Sequence, residues 1–313
     1  MKDIKFDKIK ISTDAKNIKN IDKSNFETKM LGSEVVSYTF SQNSPSELFI
    51  NVDCRKNELT IEFTGKILLD DYHFLISNNT IRKCFENINS LNVCELDIDN
   101  ILVNSKVLKC DVTKDVSCDN VGELTARIVC SITNHKKYSC KQTGQNLEIY
   151  KTVATSNRKL RLVIYDKGKE MKRQENSAFL LALRKPSDIL EYYQGKCRFE
   201  LNLNSMKQVR EMLNIADNEL FTVLQSNERP IAKFMDKILC VSPGASKMTL
   251  NKFMRLIMLR YYNFDMIRVE AAVRQHLSPK THFSQVMKPF IALCEQHRFG
   301  ENDMKEEILK MLS

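Results

Sequence analysis

Residues 159 to 167 read KLRLVIYDK, and residues 196 to 204, KCRFELNLN, repeat the same design. Successive side chains of a β-strand point to opposite faces of its sheet. In the first segment Leu160, Leu162 and Ile164 therefore fall on one side and Lys159, Arg161, Val163, Tyr165 and Lys167 on the other. The second divides into Cys197, Phe199, Leu201 and Leu203 against Lys196, Arg198, Glu200, Asn202 and Asn204. A third stretch, KVLKCDVTKDV (106 to 116), sets Leu108, Cys110, Val112 and Val116 against Lys109, Asp111, Thr113 and Asp115. Three strands with one apolar and one reactive face predict an antiparallel sheet whose polar side carries the chemistry.

Strand-like alternation also marks VVSYTFS, LFINVD and LTIEFTG between residues 35 and 65, residues 147 to 153, and a stretch near residues 4 to 12. Residues 122 to 133 alternate as well and are predicted as a strand. Helical spacing appears over residues 68 to 90, with Ile81, Cys84, Phe85 and Ile88 on one stripe and a cap at Ser77 or Asn79. It appears again over 174 to 193, broken at Pro186. From Ser205 onward five or six helical segments follow, with breaks near Pro230, at SPGAS (242 to 246) and at Ser278 to Pro279. The expected architecture is α+β: an antiparallel sheet domain over residues 1 to 205, followed by a helical domain over 206 to 313. Within the latter, residues 264 to 274 and 281 to 298 suggest a helix-turn-helix with Thr281 as a cap and His282, Gln285 and Lys288 on the exposed side of the second helix.

Composition narrows the chemistry. The chain has 313 residues, 42% of them hydrophobic and 28% charged, which fits a globular protein. It has no uncharged apolar run of the roughly 18 residues that span a membrane, and no secretory leader in MKDIKFDKIKIS, so a cytoplasmic location is expected. Ten scattered cysteines form no C-x-x-C pair, which argues against a structural zinc site. The eight glycines form neither a GxxxxGK[ST] nor a GxGxxG loop, which disfavours P-loop and Rossmann enzymes. The net charge is +9, and eight units of it fall in residues 136 to 173. Positive charge so concentrated is the footprint of a polyanion site.

On the polar faces, carboxylates without histidine favour a hard divalent cation such as Mg²⁺ or Mn²⁺. A tyrosine among basic groups suits attack on a phosphodiester, because nearby cations favour its phenolate form. Tyr150, Tyr192 and Tyr193 are alternative tyrosines, but only Tyr165 sits on a strand's polar face between Arg161 and Lys167.

The run KCDVTKDV (109 to 116), then LRLVIYDKGKE (160 to 170), then CRFELNL (197 to 203) resembles the gene II/gene X replication proteins of phages and the related replication initiation factors of plasmids and mobile elements. The likeness covers roughly residues 50 to 205. It implies a fold related to the HUH endonucleases and a rolling-circle replication initiator that nicks and rejoins an origin strand through a 5′-phosphotyrosine. By the same resemblance, Tyr165 is the nucleophile and Lys167 contacts the scissile phosphate or helps deprotonate the tyrosine. Asp111 and Glu200 hold the metal, with Glu170 as a weaker third ligand. Arg198 orients a carboxylate or binds the DNA backbone. Arg158, Lys159 and Arg161 are the expected phosphate contacts. The partners implied are single-stranded or supercoiled origin DNA and a host helicase and polymerase, with a homodimer permitted and no membrane. One departure stands out: the five histidines are isolated and no His-x-His segment exists, so a carboxylate site must replace imidazole ligation. A non-catalytic DNA-binding regulator on the same scaffold is the alternative.

Overall fold

The computed structural model describes residues 3–132, 137–152, 160–239, 249–262, 264–278, 282–297 and 304–313. Ten strands form one antiparallel sheet, and each is named here by its place in the chain. They are β1 (Phe6–Asp14), β3 (Glu27–Leu31), β4 (Glu34–Gln42), β5 (Leu48–Asp53), β6 (Glu58–Thr64), β8 (Lys106–Ser117), β9 (Tyr138–Thr143), β10 (Asn146–Lys151), β11 (Arg161–Asp166) and β12 (Lys196–Leu203). Their order across the sheet is β3-β4-β5-β6-β1-β8-β12-β11-β10-β9, and β2 (Ile18–Ile21) pairs separately with β7 (Cys94–Leu96). The three strands singled out by their alternation, β8, β12 and β11, lie side by side in the middle. Their register sets Arg198 opposite both Asp115 and Tyr165, and Asn202 opposite both Asp111 and Arg161.

The apolar face is enclosed along the central strands, whereas β3 and β4 at one edge bury no residue. Ile9 and Ile11 of β1, Ile61 and Phe63 of β6, Leu162 and Ile164 of β11, and Phe199 and Leu201 of β12 show no solvent exposure. The helix Ile81–Asn89 is amphipathic and buries Ile81, Cys84, Phe85 and Ile88, with Phe85 meeting Phe63 edge-on at 5.6 Å between ring centroids. That is the stripe its spacing predicts. The cap is not the expected one. Thr80 occupies the N-cap position without a side-chain cap bond, its hydroxyl instead donating to the Leu75 carbonyl at 2.6 Å.

Two strands depart from strict alternation, and the departures shape the polar face. In β1 the pairing with β8 shifts between Phe6 and Lys8, so that apolar parity changes from Phe6 to Ile9. A β-bulge of this kind turns one extra side chain toward the same face, and the extra one is Asp7. A second shift between Lys10 and Ile11 opposes Ile11 to Val107, so Val107 joins Cys110 in the core where alternation alone predicts Leu108.

Residues 122 to 133 correct the strand prediction. Val121–Ser131 is a helix. Its buried Val121, Leu124 and Ile128 recur every three to four residues, and that period outweighs the short local alternation. The stretch predicted as one helix from 68 to 90 begins as a 3₁₀ segment, Gly65–Phe74, and the α-helix starts only at Ile81.

The chain divides into two compact units, Met1–Thr125 with Lys136–Phe234 and Leu312–Ser313, and Ala126–His135 with Met235–Met311. The boundary expected from the sequence lay at residue 205. The contacts keep Met206–Leu213 and Leu220–Leu224 with the sheet, where Val209, Leu213 and Val223 are fully buried. In the other unit, Leu259, Val269, Met287, Phe290 and Leu293 form a core of their own. There Met266–Gln275 and Phe283–His297 are the two helices expected of the helix-turn-helix, and His282, Gln285 and Lys288 are exposed. Thr281 lies outside the described residues.

Candidate active site

One end of the polar face is roofed by Tyr72, Phe179, Ile189 and Tyr193, which pack with Met171 into a small core of their own. Under that roof Arg198 is completely buried. Its Nε and Nη2 grip both oxygens of Asp115 at 2.7 and 2.8 Å. Nη1 donates to Asp7 at 2.7 Å and to the Tyr72 hydroxyl at 3.0 Å, and Nη2 reaches the Tyr193 hydroxyl at 3.2 Å. Every nitrogen of the fork is engaged, which is how a buried guanidinium avoids a desolvation penalty of several kcal/mol. Of the two roles expected of Arg198, the structure supports the first: it orients carboxylates. As a phosphate contact it is corrected, because no face of the guanidinium reaches solvent.

Asp7 was not among the residues expected from the sequence. It accepts from Arg198 and from the Tyr72 hydroxyl, the latter at 2.9 Å. Burial pushes its carboxyl up, but Arg198 and Lys167 more than offset that and hold it below the usual carboxylate range. The signal was present in FDKIKI, where the apolar positions switch from even to odd numbers between Phe6 and Ile9.

Tyr165 lies one strand over. Its hydroxyl donates to Glu200 Oε2 at 3.1 Å, across the β11–β12 pair. Burial raises the phenol well above its ordinary value and the neighbouring Glu200 carboxylate raises it further, while Arg198 pulls it down. The basic surroundings were expected to favour the phenolate. The surroundings act the other way, since burial and Glu200 outweigh the basic groups and raise the phenol, whose hydroxyl donates to that carboxylate.

Lys167 begins the helix Lys167–Met171, capped by the Asp166 side chain, which accepts from the Lys169 amide at 2.9 Å. Only 2% exposed, its ammonium pairs with Glu170 Oε2 at 2.6 Å and lies 5.2 to 5.9 Å from the ring centroids of Tyr72, Tyr165 and Tyr193. Burial and the nearby Arg198 lower its pKa, against the raising effects of Asp7 and Glu170. Glu170 also accepts from Asn176 Nδ2 at 3.0 Å and sits below its usual range, since Lys167, Asn176 and Lys66 together outweigh the cost of burial. It is thus engaged by Lys167 rather than gathered with Asp111 and Glu200.

Asp111 and Glu200 share the open part of the face. Burial, then the repulsion of Glu200, pushes Asp111 up to about 7, and burial followed by Asp7 raises Glu200. Asn202 Nδ2 donates to Glu200 Oε1 at 3.2 Å, its side chain counters the rise at Asp111, and its Oδ1 accepts from Arg161 Nε at 2.8 Å. Among the described residues no cluster of three or more His, Cys, Asp or Glu side chains gathers as a metal cage. Arg161 is exposed and lies 4.0 Å from Glu148. Arg158 and Lys159 fall outside the described residues. Tyr193, one of the alternative tyrosines, is fully buried against Arg198.

A carboxyl-rich face with a tyrosine, a buried lysine and a buried arginine fork is thus assembled from the three strands that carry the resemblance. Residues 77–220 match the Phage_CRI family model, which describes the N-terminal region of a phage replication-associated protein. The matched region takes in Asp111, Tyr165, Lys167, Glu170, Arg198 and Glu200, whereas Asp7 and Tyr72 precede it. Among solved structures, the rolling circle replication initiator protein from Geobacillus stearothermophilus is similar at 10% identity and a TM-score of 0.39, over 79% of this chain and 89% of that one. No curated protein matches.

Proposed function

We propose that this protein is a rolling-circle replication initiator that nicks and rejoins an origin strand of DNA through Tyr165. The observation that carries the reading is the hydrogen bond from the Tyr165 hydroxyl to Glu200, on a sheet face shared with Asp111 and inside the region matched to the replication-associated family. As the Tyr165 oxygen attacks the scissile phosphorus, its proton passes to Glu200, the new O–P bond forms, and the bond to the 3′-oxygen breaks. The departing 3′-oxygen takes a proton from water, so the strand is left with a 3′-hydroxyl and a 5′-phosphate esterified to Tyr165. Rejoining is the reverse: a 3′-hydroxyl attacks the phosphotyrosine and the phenol leaves with the returned proton.

Lys167 supports this step from behind the ring. Its ammonium lies 5.9 Å from the Tyr165 ring centroid, where positive charge lowers the cost of negative charge developing on the ring's oxygen, and Glu170 and Asp7 oppose the lowering of its own pKa by burial. Arg198 fixes Asp115, Asp7 and the tyrosine roof, and its charge also pulls the Tyr165 phenol down.

The donors on the open face fit Mg²⁺ or Mn²⁺. Asp111 and Glu200 would hold the ion: both offer only hard oxygen ligands, and both are raised by burial and by neighbouring acids, which a bound cation would offset. Two protein carboxylates suffice for Mg²⁺, which keeps waters and takes phosphate oxygens to complete its shell. Bound there, the ion would supply electrostatic stabilisation to the phosphate oxygens.

The test is incubation of the purified protein with supercoiled plasmid DNA carrying its own origin, with Mg²⁺, with Mn²⁺ and with chelator. Metal-dependent conversion to the open-circular form is expected. Salt-sensitive binding with no nicking in any metal would point to the non-catalytic regulator instead.

A further inference from the structure

We propose that a cavity beside the Tyr165 site, walled by His73 and Tyr192, is a pocket for one unstacked base of the single-stranded DNA. The cavity has a volume of about 690 Å³ and forms where β8 runs on to Ser117 past the start of β1. Volumes of 300–1,000 Å³ are usual for small-ligand sites, so a nucleobase with its sugar fits.

Three features match that ligand. The wall is aromatic: the His73 ring lies 4.0 Å from Phe74 and 5.0 Å from Tyr192 between centroids, and Tyr192 meets Tyr193 edge-on at 5.0 Å. Phe74 is 48% and Tyr192 39% exposed, so this ring series reaches from the buried roof over Arg198 out to solvent. The floor is apolar, with Leu75 and Val112. The rim carries Lys5 and Arg229 for phosphate, along with Asp3 and Glu228, which can accept from the exocyclic amino group of a base. Aromatic faces with a basic margin are the usual apparatus for holding single strands.

Position ties the pocket to the reaction. Asp115 lines it and is gripped by Arg198, which stands opposite Tyr165 in the strand register. Asp115 and Tyr165 are therefore two strand spacings apart, about 10 Å between backbones. A base seated against Tyr192 would fix the strand a few nucleotides from the phosphate at Tyr165. This inference rests on the nicking reading only for that distance.

The experiment uses the full chain with Tyr165→Phe, so that no cleavage intervenes. Single-stranded oligonucleotides of about 20 residues, one of oligo-dT and one of origin sequence, carry a single 2-aminopurine moved along the chain. One position should show a fluorescence change on binding that is distinct from its neighbours. That change should survive Tyr192→Phe and disappear in Tyr192→Ala, with affinity falling roughly 5- to 150-fold, the equivalent of about 1–3 kcal/mol for one stacked base. A response that Tyr192→Ala leaves unchanged, equal responses at all positions, or no binding to either oligonucleotide would overturn the pocket. Formation of the Tyr165 adduct by the wild-type protein is read separately. If the adduct forms without a Tyr192-dependent response, the pocket alone fails; a Tyr192-dependent response without any adduct means that the nicking reading alone fails.

Discussion

Arg198 shows how differently one residue reads in sequence and in space. On a strand's polar face it read either as a partner for a carboxylate or as a contact for the DNA backbone, and it is enclosed by two carboxylates and two phenols. Removing it strands Asp7 and Asp115 in a buried site. Arg198→Ala should therefore lower unfolding stability by about 3–5 kcal/mol, measured by denaturant titration, whatever it does to DNA binding. Asp111 gives a pH signature. Its carboxyl is raised to about 7 in the folded protein against about 4 for an unperturbed aspartate, so the folded state binds the extra proton between those values. The stabilisation is complete below about pH 4 and is lost as pH rises through about 7. Thermal unfolding without metal should show the melting temperature falling across that window. Asp111→Asn should flatten the fall and abolish any rise produced by Mg²⁺. Polarity and alternation placed Asp111, Tyr165, Lys167 and Glu200 on one face from sequence alone. Asp7 and the ring series at Tyr192 were not legible in the same way. The first depends on a bulge, and the second on a 3₁₀ segment and a helix brought together only by folding.

At the scale of elements, the short helix Lys167–Met171 sets Lys167 and Glu170 in place, and its fit explains the glycine in Tyr-Asp-Lys-Gly-Lys-Glu. A β-carbon at Gly168 would lie 2.7 Å from the Tyr193 carbonyl oxygen, in the neighbouring helix Pro186–Tyr193. Backbone cannot yield as a flexible side chain can. Gly168→Ala should cost roughly 1–3 kcal/mol of stability and displace Lys167 from the phenol, so nicking should fall by more than binding in a side-by-side assay. Strands were the most legible elements: β4, β5, β6, β8, β11 and β12 lie within a few residues of their alternating segments, because apolar and polar side chains alternate along each of them. Val121–Ser131 was misread, since its sequence carries both periods over a short span and only packing decides between them.

For the molecule as a whole, the charge of +9 gains meaning from its location. Eight units fall between residues 136 and 173, the segment that runs through β9, β10 and β11 to the Tyr165 site, and the remaining 275 residues carry only one. Arg161 is an exposed member of that segment, bonded to Asn202 at the open face. Arg161→Glu should weaken DNA binding and reduce the slope of log affinity against log salt by about one or more, as measured by anisotropy titration at several salt concentrations. The measurement that bears most directly on the central claim is peptide mass spectrometry after incubation with Mg²⁺ and an origin oligonucleotide. The account predicts a nucleotide-bearing peptide whose modification maps to Tyr165 and is lost in Tyr165→Phe, while that variant keeps the wild-type melting temperature. A nucleotide adduct on Tyr150 or Tyr192, or an adduct that persists in Tyr165→Phe, would contradict it.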